Sequence, residues 1–384
     1  MTNDTPATGP KAGPERRKGI SATVTAARTV EFRGGNEFQA KLHRRVDDYF
    51  EQTAKSRRDS PAMYLKAAVI LLAFAASYLL LVFAAETWWQ ALPLTVVLGL
   101  VTTGIGFNLM HDGGHGAFSR HKLVNLAMAR CLDVIGGSSY LWHWKHRVIH
   151  HTYSNITGHD TDISIGRLAR FTPHQARHAY QRWQQWYIWP LYGLMAMKWH
   201  FYDDFRTLLV GRIGPHRIPR PRNRDLVVLV VCKLLFFAFA FGVPLLVHPL
   251  WVVALGYVAV AVVLGLSLSV VFQLAHCVEE ADFPSVVKEG ASVDSAWAVH
   301  QVNTTVDFCR GNRFATWLLG GLNYQIEHHL FPHVCHSNYP AISTMVRETC
   351  RDFGIEYKEH SSFWAGVQSH YRWLRRMGAA QAAA

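Results

Sequence analysis

The sequence predicts an all-α integral membrane protein, with four transmembrane helices in two hairpins and a cytoplasmic helical cap that holds a dimetal site. Three observations support this fold class. Half of the 384 residues are hydrophobic and lie in blocks, the 39 Lys and Arg residues avoid the links within each pair of blocks, and many of the 22 His residues recur at helical spacing. Such a hydrophobic content excludes a chain that is mostly disordered.

Four hydrophobic blocks predict the membrane spans. Each block is 19 to 26 residues long. At about 1.5 Å per residue, each crosses the roughly 30 Å hydrocarbon core of a bilayer. The blocks cover residues 64–85, 92–110, 226–247 and 250–275. Because the links at 86–91 and 248–249 are short, the spans are expected to form two tight hairpins.

The rest of the sequence predicts further parts. Residues 1–60 indicate a basic, flexible cytoplasmic tail that ends in an amphipathic helix near 37–53. Residues 61–345 form the predicted membrane domain, and residues 346–384 a C-terminal cytoplasmic extension. The aromatic run 183–197 contains a proline and is short for a span, so it predicts an interfacial helix with its rings at headgroup level.

The distribution of charge orients the spans. Neither link carries Lys or Arg, whereas the termini and the middle segment are basic, so the positive-inside rule places the termini and the middle segment in the cytoplasm. The first block begins too far along the chain for a cleaved signal peptide. Lys233, inside the third block, is interpreted as snorkelling to the cytoplasmic interface. We therefore expect an integral membrane protein, of the inner membrane if bacterial, with a cytoplasmic active site.

Three histidine boxes near the cytoplasmic ends of the spans predict a metal centre. Residues at i and i+4 share a helix face, so two imidazoles can point at one ion. Box one supplies His111 and His115, box two His146, His150 and His151, box three Gln325, His328 and His329, and the fourth span is followed by His276. A single tetrahedral ion cannot use so many ligands, so two metal ions are implied. Imidazole suits iron, zinc, copper and nickel, which leaves the metal open.

In order and spacing, these boxes resemble those of the membrane-bound fatty-acyl desaturases, over about residues 60–345. The run 323–332, Asn-Tyr-Gln-Ile-Glu-His-His-Leu-Phe-Pro, is similar to the third box of the front-end members. Box two has three residues before its His pair, as in many bacterial members. Box three begins with Gln325, a poorer metal ligand than histidine. Because there is no His-Pro-Gly-Gly haem motif, we expect no fused cytochrome b5 domain.

The resemblance implies an O2-dependent fatty-acyl desaturase with two iron ions and no haem in this chain. Such an enzyme uses two external electrons to remove hydrogens from neighbouring methylenes and leaves a cis double bond. Its substrate would be an acyl-CoA or an acyl-lipid. The electrons would come from a separate donor, ferredoxin or a cytochrome b5-like protein with a flavin reductase. The metals supply the oxidation and the protein positions the chain.

Other side chains near the boxes are predicted to support the centre. Carboxylates commonly orient metal-bound imidazoles, with helix capping or ion pairing as the alternative role. The candidates are Asp112, Asp160, Asp162 and Glu327. The candidates for the wall of a substrate tunnel are Tyr140, Trp142, Trp144 and His300. Aromatic side chains near a membrane also act as anchors. For His300, the alternative roles are metal ligand and structural hydrogen-bonding residue. The histidines treated as non-ligands are His121, His143, His333 and His336.

Two other functions remain open at this point. A lipid hydroxylase or ketolase of the same superfamily would keep the diiron site and insert oxygen. A membrane metal-binding or transport protein would place polar ligands within the spans, whereas these histidines gather at the span ends. The net charge of +12 fits anionic lipid heads, an acidic electron donor or CoA phosphates. No nucleic-acid-binding module accompanies it.

Overall fold

The computed structural model describes residues 30–285 and 292–379. In chain order the helices are α1 (Glu37–Thr53), α2 (Pro61–Phe83), α3 (Trp88–His115), α4 (Lys122–Val134), α5 (139–153), α6 (Gln184–Gly193), α7 (195–210), α8 (Arg224–Leu245), α9 (Leu250–His276), α10 (Trp297–Thr304), α11 (Arg313–Leu318), α12 (Gln325–Leu330), α13 (Tyr339–Asp352) and α14 (Phe363–Gly378). Single 3₁₀ turns lie at Gly166–Leu168, Ala179–Trp183 and His336–Asn338.

The strands are two residues long and pair in three separate ladders. They are β1 (Glu31–Phe32), β2 (Arg212–Ile213), β3 (His216–Arg217), β4 (Ser292–Val293), β5 (Asp307–Phe308) and β6 (Glu359–His360). β1 pairs in parallel with β4, β2 antiparallel with β3, and β5 in parallel with β6. The described chain is therefore mostly helical, as predicted, and the ladders only join loops.

Four helices are long and apolar enough to cross a bilayer, namely α2, α3, α8 and α9. This confirms the predicted number of membrane helices. Helix α2 begins at Pro61, directly after Ser60, because proline is favoured in the first turn of a helix. Helix α3 continues five residues beyond the block that ends at 110 and therefore carries the whole of box one.

Small residues let the membrane helices approach closely. Helix α3 packs against α2 and α9, and α9 also packs against α6. A Cβ atom added at Gly99 of α3 would lie 2.6 Å from Cβ of Val263, and one at Gly265 of α9 would lie 2.7 Å from the carbonyl oxygens of Tyr192 and Gly193. Such glycines allow close helix packing in membranes. The helix of box one is thus fixed against the helix that ends at His276.

Both of the first two boxes adjoin π-helical backbone. Residues 105–110 of α3 and 143–150 of α5 form i→i+5 hydrogen bonds, which widen the turn. Within α5, the rings of His146 and His150 stack with centroids 5.0 Å apart and an angle of 20°. Segments of this kind are frequent at functional sites.

The amphipathic helix predicted near 37–53 is present as α1, within the described part of the segment predicted as a flexible tail. Helix α1 buries Phe38, Leu42, Val46 and Phe50, which are four residues apart and so share one face. This face packs against α10 and α13. A stripe of four buried side chains holds the helix on the protein. Residues 1–29 of the predicted tail lie outside the described residues.

The predicted C-terminal extension is continuous with the same packed structure. The boundary at 345 falls inside α13, and α14 buries Trp373, Leu374 and Met377 in a cluster with Ile188 of α6. The indole N–H of Trp373 donates to the carbonyl of Phe171 at 2.7 Å. Residues 380–384 lie outside the described residues.

Lys233 of α8 does not reach an interface. Its side chain is buried, lies 2.8 Å from Asp204 of α7, and donates to the carbonyl oxygen of Gly136. The expectation of a snorkelling lysine is therefore corrected. Helix α7 places a carboxylate beside α8, and ion pairing keeps the ammonium inside the protein.

Candidate metal centre

The eight box and span-end histidines converge in space. Four separate elements supply them: the C-terminal turn of α3, the helix α5, the last residue of α9, and the short helix α12. Each residue is at most 8% exposed. The residues are His111, His115, His146, His150, His151, His276, His328 and His329.

Their nitrogen atoms form two groups that adjoin each other. In the first, atoms of His111, His115, His146 and His328 lie within 4.8 Å of one another, and in the second the same holds for His150, His276 and His329. His151 lies between the two groups. Its ring stacks on that of His329 at 4.4 Å and is 4.7 Å from that of His328. Boxes two and three each contribute to both groups.

Seven of these rings carry buried nitrogens without a hydrogen-bond partner in the described chain. Nine such atoms are present, including both nitrogens of His115 and of His151 and the Nε2 atoms of His146, His328 and His329. Buried polar atoms in proteins are almost always paired. Unpaired imidazole nitrogens that face one another have the chemistry of a metal ligand set. The residues therefore fit bound metal ions.

The protonation state of the rings suits this role. Burial, followed by repulsion from neighbouring imidazoles, holds the pKa of His151, His328 and His329 well below its usual range. These rings are neutral near pH 7. Neutral imidazole is the form that binds metals.

Outer polar groups hold several rings at Nδ1 and leave Nε2 directed to the interior. Asp160 Oδ2 lies 2.9 Å from Nδ1 of His150, and Gln301 Oε1 lies 2.7 Å from Nδ1 of His329. The hydroxyl of Tyr339 is 3.3 Å from Nδ1 of His328. Such contacts select the Nδ1–H tautomer, orient the ring and raise its basicity toward a metal.

Asp162 occupies a looser position of the same kind. Its carboxylate lies 3.5 Å from Nδ1 of His146 and 2.8 Å from the ammonium of Lys145. Of the four predicted carboxylates, Asp160 and Asp162 thus contact histidines of box two.

The other two predicted carboxylates contact different partners. Asp112 Oδ2 lies 2.8 Å from Nδ1 of His336, whose Nε2 is 3.2 Å from the ammonium of Lys66. An ammonium only donates, so this His336 nitrogen accepts and the other donates to Asp112. The three buried side chains form a hydrogen-bonded chain, Lys66–His336–Asp112, whose carboxylate belongs to the box-one segment.

Glu327 lies in a buried acid pair. The hydroxyl of Tyr357 is 2.5 Å from Asp307 Oδ2 and 3.0 Å from Glu327 Oε1. Burial raises the pKa of Glu327 and raises the pKa of Asp307 to about 6. The backbone N–H of Ile326 also donates to Asp307, so the pair fixes the start of α12.

Gln325 lies beside the second group. Its Nε2 is 3.0 Å from Nε2 of His276, which leaves His276 Nδ1 unpaired. His300 belongs to neither group of histidines. Its Nε2 lies 2.9 Å from the carbonyl oxygen of Ser154. This contact corresponds to the structural alternative for His300.

The aromatic tunnel candidates belong to the N-terminal part of α5. Trp142 stacks on His146 with centroids 4.8 Å apart and meets His115 edge-on at 5.3 Å. Trp144 is buried and its indole N–H has no partner in the described chain. The hydroxyl of Tyr140 donates to the carbonyl of Pro219 at 2.8 Å. Trp142 therefore covers the first group of histidines.

Glycines let box one fit between its neighbours. A Cβ atom at Gly113 would lie 2.5 Å from Cβ of Met128 in α4, and one at Gly114 would lie 2.3 Å from the ring of Trp142. Gly116 then ends α3 with a φ of +71°, which favours glycine.

Sequence reasoning missed Tyr339, Asp307 and Tyr357. None of them belongs to a local motif with the residue it contacts, since the separations along the chain run from 11 to 50 residues. Gln301 was within reach of sequence reasoning, because it directly follows the candidate His300.

Comparison with known proteins agrees with the geometry. Residues 86–361 match the fatty acid desaturase family. The sn-1 linoleoyl-lipid 6-desaturase of Arthrospira platensis is 39% identical over 350 residues, which cover 88% of this chain and 92% of that protein. The protein of the same name from Synechocystis sp. is 36% identical over 358 residues, which cover 93% of this chain and 100% of that protein. The acyl-lipid (8-3)-desaturase of Physcomitrium patens is 34% identical over 349 residues, which cover 89% of this chain and 72% of that protein. These matches confirm the resemblance found in the boxes, and the chain belongs to the fatty acid desaturase family as a membrane-bound fatty-acyl desaturase.

Proposed function

We propose that this desaturase acts on the acyl chain of a membrane lipid at a histidine-held diiron centre. The observation that carries the proposal is the convergence of unpaired, buried imidazole nitrogens in two adjoining groups. An acyl-lipid rather than an acyl-CoA is favoured because the relatives described above are named for lipid-linked acyl chains.

The ligand sets follow from the two groups. One iron ion would be held by His111, His115, His146 and His328, and the other by His150, His276 and His329. His151, which lies between the two groups, would be a further ligand. Gln325 would be either a ligand itself or a hydrogen-bond partner that holds His276. Bound iron would supply the oxidation of two neighbouring methylenes by O2, with two electrons and two protons taken up and two waters released.

The protein's own residues prepare this chemistry. Asp160, Gln301 and Tyr339 hold three rings so that their Nε2 atoms point inward. Trp142 lies over His146 and excludes water from the first group. A preformed set of this kind needs little reorganisation when metal binds.

The membrane placement is part of the proposal. We take residues 61–345 as the membrane desaturase domain, in which α2 with α3 and α8 with α9 form two hairpins, and α1 and α14 brace the cap. The basic segments put the boxes on the cytoplasmic side. The electrons would arrive from a separate ferredoxin or a cytochrome b5-like protein.

The test is expression in a bacterial host with ferredoxin and its reductase, followed by mass spectrometry of the fatty acids with their double bonds located. We expect a new unsaturated acyl chain. His328→Ala and His150→Ala should each abolish it and lower the iron content, while the protein stays in the membrane. His121→Ala, at an exposed histidine outside the groups, is the matched control and should retain both.

Two results would contradict the proposal. Full activity and full iron content in His328→Ala and His150→Ala would exclude the diiron assignment. An acyl chain that carries added oxygen instead of a double bond would indicate the hydroxylase alternative.

A further inference from the structure

An arginine-rich hairpin connects α7 to α8. Residues 212–224 contain five arginines, and all five side chains are exposed. They are Arg212, Arg217, Arg220, Arg222 and Arg224. Among the described residues none of them forms an ion pair with a carboxylate. The nearest acidic residue in the sequence, Asp225, lies 3.8 Å from Arg130 instead.

The strand pairing concentrates this charge. β2 and β3 place Arg212 directly opposite Arg217. Like charges in that position destabilise a ladder. The hairpin keeps its geometry because Ile213 and Ile218 pack against Trp144 and other buried residues of α5. Apolar packing therefore holds two arginines at opposite positions of the ladder, with no acid to balance them in the described chain.

The hairpin borders an open cavity of about 540 Å³. Arg212, Arg217 and Arg220 contribute to its wall. A planar guanidinium donates two parallel hydrogen bonds to the oxygens of a phosphate. The cavity has the volume of a small-molecule site. Its charge and size thus fit one phosphate-bearing group rather than the face of a protein.

The surroundings of the cavity point to the membrane surface. Leu209, which is 79% exposed, and Val210, which is 49% exposed, lie next to it at the end of α7. The membrane helix α8 begins at Arg224, directly after the hairpin. A ligand here meets cations and exposed apolar side chains together. A phospholipid matches both, because it carries an anionic phosphate and apolar acyl chains. An acidic electron donor would not need the apolar side chains beside the cavity.

We propose that this cavity binds the phosphate group of an anionic membrane phospholipid. The site depends on α8 crossing the membrane and is independent of the metal centre. It lies on the helix α5 side of the protein, since Tyr140 of α5 donates to Pro219 in the same segment. A bound headgroup would neutralise the opposed arginines and fix the hairpin at the bilayer surface.

The test measures lipid binding by native mass spectrometry on the full-length protein in detergent. The probes are phosphatidylglycerol, a galactosyl diacylglycerol with the same acyl chains, and inorganic phosphate. We expect phosphatidylglycerol to bind about ten-fold more tightly than the galactolipid, given the attraction of each arginine for an anionic headgroup. The double variant Arg212→Gln/Arg217→Gln should remove this preference, and Arg212→Lys/Arg217→Lys should keep most of it.

The matched control is Arg222→Gln/Arg224→Gln, which removes the same charge outside the cavity wall. This control should change the preference for phosphatidylglycerol over the galactolipid by less than about three-fold. Equal losses in the two Gln variants would show a diffuse electrostatic effect and overturn the proposal. Equal binding of galactolipid, or binding of inorganic phosphate as tight as that of phosphatidylglycerol, would overturn it as well.

Two further measures separate this inference from folding and from the proposed function. If the double Gln variant does not fold, Arg220→Gln, which lies outside the ladder, takes its place and should also weaken the preference. Because lipid binding is measured without turnover, an inactive metal centre leaves the result unaffected.

Discussion

His150 Nδ1 lies 2.9 Å from Asp160 Oδ2, and both side chains are completely inaccessible to solvent. The same carboxylate oxygen accepts the backbone N–H of Asn155 at 3.0 Å, and Oδ1 accepts that of Asp162 at 2.9 Å. Backbone N–H groups of the loop after α5 therefore fix the Asp160 carboxylate, and the fixed carboxylate orients the ring of His150. His150 Nε2 is left without a partner in the described chain, in the second group of histidines.

Asp160→Asn should weaken iron binding. The change keeps the size of the side chain and removes the charge that stabilises the Nδ1–H tautomer of His150. Loss of such an outer contact typically lowers metal affinity or activity by roughly ten- to hundred-fold. Metal analysis after dialysis, together with the desaturation assay, measures it. Asp203→Asn, at a more exposed carboxylate paired with Lys198, is the control. Iron affinity equal to that of the parent would contradict the positioning role of Asp160.

Gly113→Ala should disturb box one. The new Cβ would lie 2.5 Å from Cβ of Met128 and 2.6 Å from the backbone nitrogen of Ala129, so α3 and α4 must separate. We expect lower iron content and a lower unfolding temperature. Gly106→Ala is the matched control in the same helix, because the nearest atom there, in Leu268, is at an ordinary 3.5 Å. Similar losses in both variants would show that helix flexibility, and not the close approach, explains the effect.

Asp204→Asn should destabilise the protein strongly. It leaves the ammonium of Lys233 buried without a counter-charge, which costs about 3–5 kcal/mol. Replacing both partners by Leu should recover most of this loss, because a well-packed apolar pair is close to neutral. Thermal unfolding of the parent, Asp204→Leu, Lys233→Leu and the double Leu variant completes a double-mutant cycle, with Asp204→Asn measured beside them. Additive effects of the two single changes would show that the pair is not coupled.

Asp307→Asn should change how stability depends on pH. Burial raises the pKa of Asp307 from 3.8 to about 6, against the hydrogen bonds from Tyr357 and Ile326 that lower it. A pKa that is higher in the folded state stabilises the fold fully below about pH 4, and this contribution is lost as the pH rises through about 6. Asparagine stays neutral throughout. Relative to the parent, the variant should therefore gain stability as the pH rises from about 4 to about 7.

Unfolding temperatures of the two proteins at several pH values test this prediction. The difference between them should grow in favour of the variant from about pH 4 to pH 7. A difference that stays constant with pH would mean that Asp307 titrates at its ordinary value.

The parts that were predictable from sequence are those that local pattern determines. An apolar run long enough to cross a bilayer is a property of adjacent residues, and so are His111 and His115 at i and i+4. Helix α1 could be predicted in the same way, because Phe38 and Leu42 share a face. Its burial against α10 and α13 depends on the tertiary fold, so local pattern alone could not predict it.

The parts that could not be predicted depend on contacts between distant residues. Asp112 lies next to a box histidine in sequence, but its carboxylate contacts His336 from another element. Glu327 lies beside Asp307 because Asp307 accepts the backbone N–H of Ile326, and the β5–β6 ladder brings Tyr357 within reach of both carboxyls. Lys233 has the same sequence environment whether it reaches the interface or finds Asp204. Only the position of α7 decides between these outcomes.

The interleaving of the boxes has a consequence for biosynthesis. Each group of histidines takes ligands from both halves of the chain: His146 joins His328 in the first group, and His150 joins His329 in the second. No nascent chain can complete either group until α12 has left the ribosome. During translation the ligand sets of α3 and α5 therefore stay incomplete until α8, α9 and α12 have been synthesised. On the proposed diiron assignment, iron content would report on synthesis of the chain through α12.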